Sequence, residues 1–247
     1  MRMLFRKIYM FWCVFWFLLV FLLLFPFFAL FIQKKSWHKY GHFLNKIWGV
    51  VVFTCTFMPT TVEMRFKRDK KRAYIYCPNH TSYLDIPSLA YGLPGHFSFV
   101  GKASLTKVPL FGYMFKGLYI PVERESKISK YKTMVKCSQA IENNISVALF
   151  PEGTIPKHDN PKLTPFKDGA FRIAIEKQVP IVPVTLPHNW KILPDDGKWL
   201  IHRHLMKLII HEPIETTGMT LEDVDKLKEK TYQIIHEELK KHNPGLV

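Results

Sequence analysis

The chain opens on an uncharged apolar run of 23 residues, 10–32, with Arg2, Arg6 and Lys7 before it and Lys34 and Lys35 after it. A helix of that length crosses the hydrocarbon core of a bilayer. A cleaved signal peptide fits less well: its apolar core stops at about 15 residues and a small-residue cleavage site follows. Pro26 lies inside the run, and cations at both ends leave its orientation open. A second apolar stretch, residues 47–58, is too short to span and reads as an interfacial helix. Together they predict a two-helix membrane anchor over residues 1–59.

Beyond Pro59, short apolar runs rich in β-branched residues alternate with stretches of helical spacing, which predicts one α/β domain over residues 60–247. Strands are expected at 61–66, 73–77, 97–100, 118–122, 147–150, 181–186 and 206–210, and helices at 129–143 and 168–177. A last helix opens on a capping box of Thr220 and Asp223 and places Leu221, Val224, Leu227, Ile234 and Leu239 near one face. The expected architecture is a mixed, mainly parallel sheet flanked by helices, with a site at its rim. The basic run 67–72 reads as a hairpin tip, either a solvated turn or a lipid-headgroup contact. Pro180 and Pro183 suit an edge strand or a strand entry, since proline withdraws a donor from the ladder.

Charge narrows the choice of partner. A net charge of +15 calls for a polyanion. Beside the apolar N-terminus it favours anionic lipid or a phosphorylated substrate over nucleic acid, for which no recognition motif is visible. Cysteines at 13, 55, 77 and 137 have no CxxC spacing, so neither a zinc cluster nor a dithiol pair is expected, and the thiols are expected reduced. His202 and His204 lie two apart in an expected strand and read as a solvated face, with no third ligand near. No metal site is expected.

The candidate chemistry follows the second strand, in Pro78-Asn79-His80-Thr81-Ser82-Tyr83-Leu84-Asp85. A histidine at a strand-to-helix turn can act as a general base near neutral pH. Asp85, five positions on, would point about 140° away on a straight helix and to the opposite face of a strand, so the pair meets only through a turn. Thr81 or Ser82 as helix cap would supply it. Taken alone, Ser82 and Asp85 fit an ordinary capping box equally well.

Three further segments accompany this block: GLYIPVER at 117–124, FPEGT at 150–154 and VPIVPV at 179–184. In this order the four blocks resemble the glycerolipid acyltransferase family, of the lysophosphatidic acid acyltransferase type, over about residues 60–190. The resemblance implies that His80 takes a proton from an acceptor hydroxyl, that Asp85 steadies the imidazolium, and that the oxygen attacks an acyl thioester with no acyl-enzyme. The residues agree, since there is no G-x-S-x-G elbow and no cysteine in a comparable polar motif. Family matching also implies phosphate binding by Lys102 and Arg124 and substrate binding by Asn79, Glu152, Gly153 and Thr154. Lys167 and Gly169 match a recurring segment of less defined role.

The implied reaction moves a fatty acyl group from acyl-CoA or acyl carrier protein, as co-substrate with no bound cofactor, to the sn-2 hydroxyl of 1-acyl-sn-glycerol 3-phosphate. The product is phosphatidic acid, and the expected place is the cytoplasmic face of a bacterial inner membrane. Glu123, where the family often has aspartate, and Ile155, where it often has arginine or serine, leave room for lyso-ornithine lipid or another lysolipid as acceptor. A non-catalytic membrane lipid-binding protein is the alternative of another class.

Overall fold

The computed structural model describes residues 2–123, 125–156 and 161–247. All seven expected strands form: β1 (Thr60–Met64), β2 (Ile75–Pro78), β3 (Phe97–Lys102), β4 (Ile120–Val122), β5 (Ser146–Ala148), β6 (Ile181–Thr185) and β7 (Met206–Ile210). They make one sheet in the order β1-β7-β6-β2-β5-β3-β4. Every pairing is parallel except β6 with β7. The mixed, mainly parallel sheet is therefore as expected.

Both faces of the sheet are covered except along the exposed edge strand β1, which is why the inner strands read as apolar runs. The two-residue period of a strand sends Tyr74 and Tyr76 into one core and Ala73, Ile75 and Cys77 into the other. The first core takes in α1 (Arg2–Ile32), α2 (His38–Cys55), α3 (Asp85–Gly92) and α4 (Phe111–Leu118). The second takes in α5 (Lys127–Glu142), α6 (Gly169–Glu176) and α8 (Val224–His242), α8 following the capping box of Thr220 and Asp223. A short α7 (Asn189–Ile192) follows β6.

The N-terminal region holds one apolar helix of spanning length among the described residues, and not clearly the expected two-helix anchor. Helix α1 is long and apolar enough over Met3–Ile32 to cross a membrane, and most of its surface faces outward. Helix α2 runs for 18 residues rather than 12 and buries Gly41, His42, Leu44, Asn45, Trp48, Gly49 and Phe53. A Cβ on Gly49 would lie 3.3 Å from Tyr91 Cβ, so glycine lets α2 approach α3 closely. Asn45 donates to the Tyr119 hydroxyl at 2.6 Å, which lets a polar residue enter this contact. Helix α2 is thus a layer of the domain as well as a partner of α1.

Three local expectations fail on topology. The basic run 67–72 is no hairpin tip, because β1 pairs with β7 and not with β2. It precedes β2 and so lies at the opposite end of that strand from His80; Arg72 pairs with Glu215, and Arg68 lies over the Tyr74 ring. Strand β6 is central rather than an edge, with Pro180 at its entry, as the other expected arrangement has it, and Pro183 within it. Its Pro183 is tolerated because the bonds to β2 run through Pro180 and Val184, while the Pro183 carbonyl accepts from His211 N. His202 and His204 precede β7 rather than sitting in a strand, and His204 packs edge-on against His188.

Candidate active site

His80 and Asp85 are brought together by the turn between β2 and α3. Asp85 opens α3, and its Oδ2 lies 2.9 Å from His80 Nδ1. The same oxygen accepts from the backbone N–H groups of Thr81 at 2.7 Å and Ser82 at 2.9 Å. The turn is therefore folded around the carboxylate. Ser82 plays a part other than the expected cap: its hydroxyl donates to the Leu193 carbonyl and accepts from Leu84 N.

These contacts fix the imidazole tautomer. A carboxylate oxygen only accepts, so His80 Nδ1 must carry its proton toward Asp85 and Nε2 is left with the lone pair. Nε2 has no hydrogen-bond partner among the described residues. The ring stacks on Phe150, with centroids 3.8 Å apart and planes 14° from parallel. Phe150, the first residue of FPEGT, thus sets the plane of the ring while Asp85 sets its rotation.

Glu152 and Asn79 hold the site rather than reach out of it. Glu152 is 2% exposed; its Oε1 accepts from His80 N at 2.8 Å, and its Oε2 accepts from the Thr164 N–H and hydroxyl. Asn79, fully buried, donates to the Leu186 carbonyl and accepts from Leu186 N at 2.7 Å, tying the end of β2 to the end of β6. Both were expected as substrate contacts. In the structure Asn79 bonds the backbone of Leu186, and Glu152 bonds the His80 N–H and both the N–H and hydroxyl of Thr164.

Burial raises the Glu152 carboxyl above the ordinary carboxylate range, against the pull of its three donors. Stability from this group is therefore fullest below the ordinary carboxyl value and is lost as pH rises through the raised native value. Glu152→Gln is expected to lower activity at least tenfold, because one amide end must present N–H to Thr164 N–H or to His80 N–H. Steady-state kinetics across pH checks this, with the variant lacking the acid-side change that protonation of Glu152 adds.

The remaining expected residues are spread around the same rim. Gly153 has φ of +75°, and a Cβ there would lie 2.6 Å from Lys167 Nζ, so glycine serves both the backbone and the lysine packed on it. Thr154 is exposed. Gly169 opens α6, and nothing stands within 4 Å of where a Cβ would lie, so no close approach requires glycine. Lys102 ends β3 in register with Val122 of β4, exposed at the rim. Arg124 lies outside the described residues.

Sequence reasoning missed Asn189. It is fully buried at the start of α7, and its amide donates to Asp85 Oδ1 at 2.9 Å and to Ser88 Oγ at 3.0 Å. Asp85 therefore has donors on both oxygens. Asn189→Ala is expected to leave a buried carboxylate oxygen without its donor, a loss of about 1–3 kcal/mol. Kinetics should show kcat falling about tenfold or more with KM little changed. No local signal marks Asn189, since its partner is 104 positions away.

An apolar cavity of about 430 Å³ adjoins this turn. Tyr83, Leu84 and Ile86, on either side of Asp85, line one part of it, and Met10, Phe17, Val52 and Phe53 of the N-terminal helices line another. No group of three or more histidine, cysteine, aspartate or glutamate side chains among the described residues could hold a metal ion. The arrangement suits proton transfer at His80 Nε2 beside a site for a long apolar group.

Comparison with known proteins bears on this geometry. The family model described as Acyltransferase matches residues 60–187. A 1-acyl-sn-glycerol-3-phosphate acyltransferase of Haemophilus influenzae is 34% identical, with 74% of this chain and 78% of that protein covered. A chloroplastic 1-acyl-sn-glycerol-3-phosphate acyltransferase of Brassica napus is 30% identical, with 76% of this chain and 54% of that protein covered. The chain spans about half the length of the plant relatives it matches. The crystal structure of a 1-acyl-sn-glycerophosphate acyltransferase from Thermotoga maritima shares the fold, with a TM-score of 0.78, 23% identity, and coverage of 97% of this chain and 98% of that one.

Proposed function

The chain belongs to the acyltransferase family, and from that premise we propose that it acylates the free sn-2 hydroxyl of 1-acyl-sn-glycerol 3-phosphate, giving phosphatidic acid. The observation that carries this reading is the His80–Asp85 pair, with Nδ1 turned to the carboxylate and Nε2 left as base. His80 Nε2 takes the hydroxyl proton as that oxygen attacks the thioester carbonyl, and the C–O ester bond forms. The C–S bond then breaks, and His80 returns the proton to the departing thiolate. Asp85 stabilises the imidazolium that exists between the two transfers.

Lys102, exposed at the rim end of β3, is read with Arg124 as the cation pair for the acceptor's phosphate, the role the family resemblance implies for both. The apolar cavity is read as the place of a fatty chain, and α1 with the outer side of α2 as the seat in the bilayer, on the cytoplasmic side. A site held at the interface accepts a lysolipid without drawing its tail through water, which would cost about 0.8 kcal/mol per methylene.

A competition assay tests the acceptor. Purified protein given a thioester donor with equal 1-acylglycerol 3-phosphate and lyso-ornithine lipid is expected to consume the phosphate acceptor first. Preference for lyso-ornithine lipid would reject this reading. Val52→Phe, which fills part of the cavity wall, is expected to shift donor preference toward shorter chains when donors of increasing length compete.

A further inference from the structure

Helix α5 carries a surface that the chemistry at His80 leaves unused. Its inner face, with Thr133, Cys137 and Ile141 at four-residue spacing, is buried. On its outer side Ile128 and Tyr131 are each 69% exposed, and Val135 continues the apolar stripe. Lys127, Lys130, Lys132 and Lys136 surround them, all exposed, with no acidic residue in the helix before Glu142. None of these four lysines has an ion-pair partner among the described residues. On α8, by contrast, Lys228 pairs with Asp168 and Asp225, and Lys241 with Glu238.

Solvation alone does not account for such a face. Like charges at helical spacing repel, and Lys127 stands at the N-terminal end, where the helix dipole disfavours a cation. Glu123 and Glu125 precede the helix and leave the stripe uninterrupted. Two large apolar side chains in a ring of unpaired cations match an acidic surface with an apolar patch of its own.

Position selects the kind of partner. Helix α5 packs on the second core, while α1 and α2 pack on the first, so α5 faces away from the apolar surface of α1. An anionic bilayer that receives α1 is therefore on the other side of the sheet. The start of α5 follows β4, whose C-terminal end lies at the rim that holds the site. Strand β4 is three positions from β2 in the sheet, about 14 Å, within reach of a flexible arm.

We propose that α5 docks an acidic carrier protein that delivers the acyl thioester to His80. This rests on the thioester-donor reading above and names which donor the surface is built for. The test compares full-length, detergent-purified wild type with K127E/K130E/K136E, whose substitutions lie on the outer face. Binding of purified acyl carrier protein is measured directly, together with turnover of acyl-CoA and of acyl carrier protein thioester. Wild type is expected to bind carrier protein in a salt-sensitive way, and the variant at least tenfold more weakly. KM for the carrier-bound donor should rise by a similar factor, with acyl-CoA kinetics unchanged.

Equal carrier binding by both proteins, or none by wild type, would overturn the proposal. So would a variant that keeps carrier binding and loses affinity for phosphatidylglycerol vesicles, which would make α5 a bilayer surface. Because binding is read without turnover, failure of docking and failure of the acyltransfer reading are distinguishable: the latter is absence of product from either donor.

Discussion

His80→Ala is expected to lower kcat by about 100- to 10,000-fold with little change in KM or in thermal stability. The span is that of a positioned general base. It lies toward the upper end here because, among the described residues, the neighbouring carboxylates are already engaged: Asp85 is saturated by donors on both oxygens, and Glu152 is turned to the His80 backbone and to Thr164. Substrate binding should survive, since the apolar cavity and Lys102, proposed above to hold the acceptor, do not depend on the imidazole. The fold should survive because Asp85 keeps its bonds from Thr81, Ser82 and Asn189. Steady-state kinetics with a melting curve on the same preparation checks both halves.

Asp85→Asn is expected to be as damaging by another route, with kcat down by up to about 10,000-fold, the scale seen when a histidine base loses the carboxylate that fixes its tautomer. An asparagine cannot satisfy all four donors. If its oxygen occupies the Oδ2 position, its amide N–H meets the Asn189 amide donor, and the imidazolium loses its counter-charge. If it is flipped, N–H faces Thr81 N–H and Ser82 N–H, and His80 Nδ1 must become the acceptor. Nε2 is then protonated and no longer a base. Unlike His80→Ala, this variant should also melt earlier, because the turn is folded around the carboxylate. Asp85→Glu, which keeps the charge but moves it by a methylene, should recover the melting point less than the charge alone would suggest, since Asp85 is fully buried.

The sheet was legible because its inner strands are buried on both faces, so that Ile75, Val147, Val182 and Leu208 stand in short runs bounded by turn residues. Helix α4 was not legible: FGYMFKGL buries Met114, Phe115 and Leu118 at helical spacing, but eight residues are too few to tell such a helix from a short buried apolar run. The full length of α2 was hidden by His42, Asn45 and Lys46, of which two are buried and the first two join Tyr119 in a polar contact. Whether a polar residue faces solvent or a buried partner is a tertiary fact, and local pattern does not carry it.

The site shows the same division. A turn that joins His80 to Asp85 could be argued from five-residue spacing, because neither regular structure would serve. That Glu152 grips the His80 backbone could not, since the motif supplies the residue but not the direction of its side chain. Asn189 and Thr164 were invisible for a plainer reason: each is an ordinary polar residue outside any motif, with a partner 104 positions away for Asn189 and 12 positions away for Thr164.

The most direct test is mass spectrometry of reactions containing 1-acylglycerol 3-phosphate, a thioester donor and either wild type or His80→Ala. Wild type is expected to form phosphatidic acid with no acyl mass on the protein, and His80→Ala to form almost none. Product at equal rates from both, or an acylated wild-type protein that precedes product, would contradict direct transfer with His80 as base.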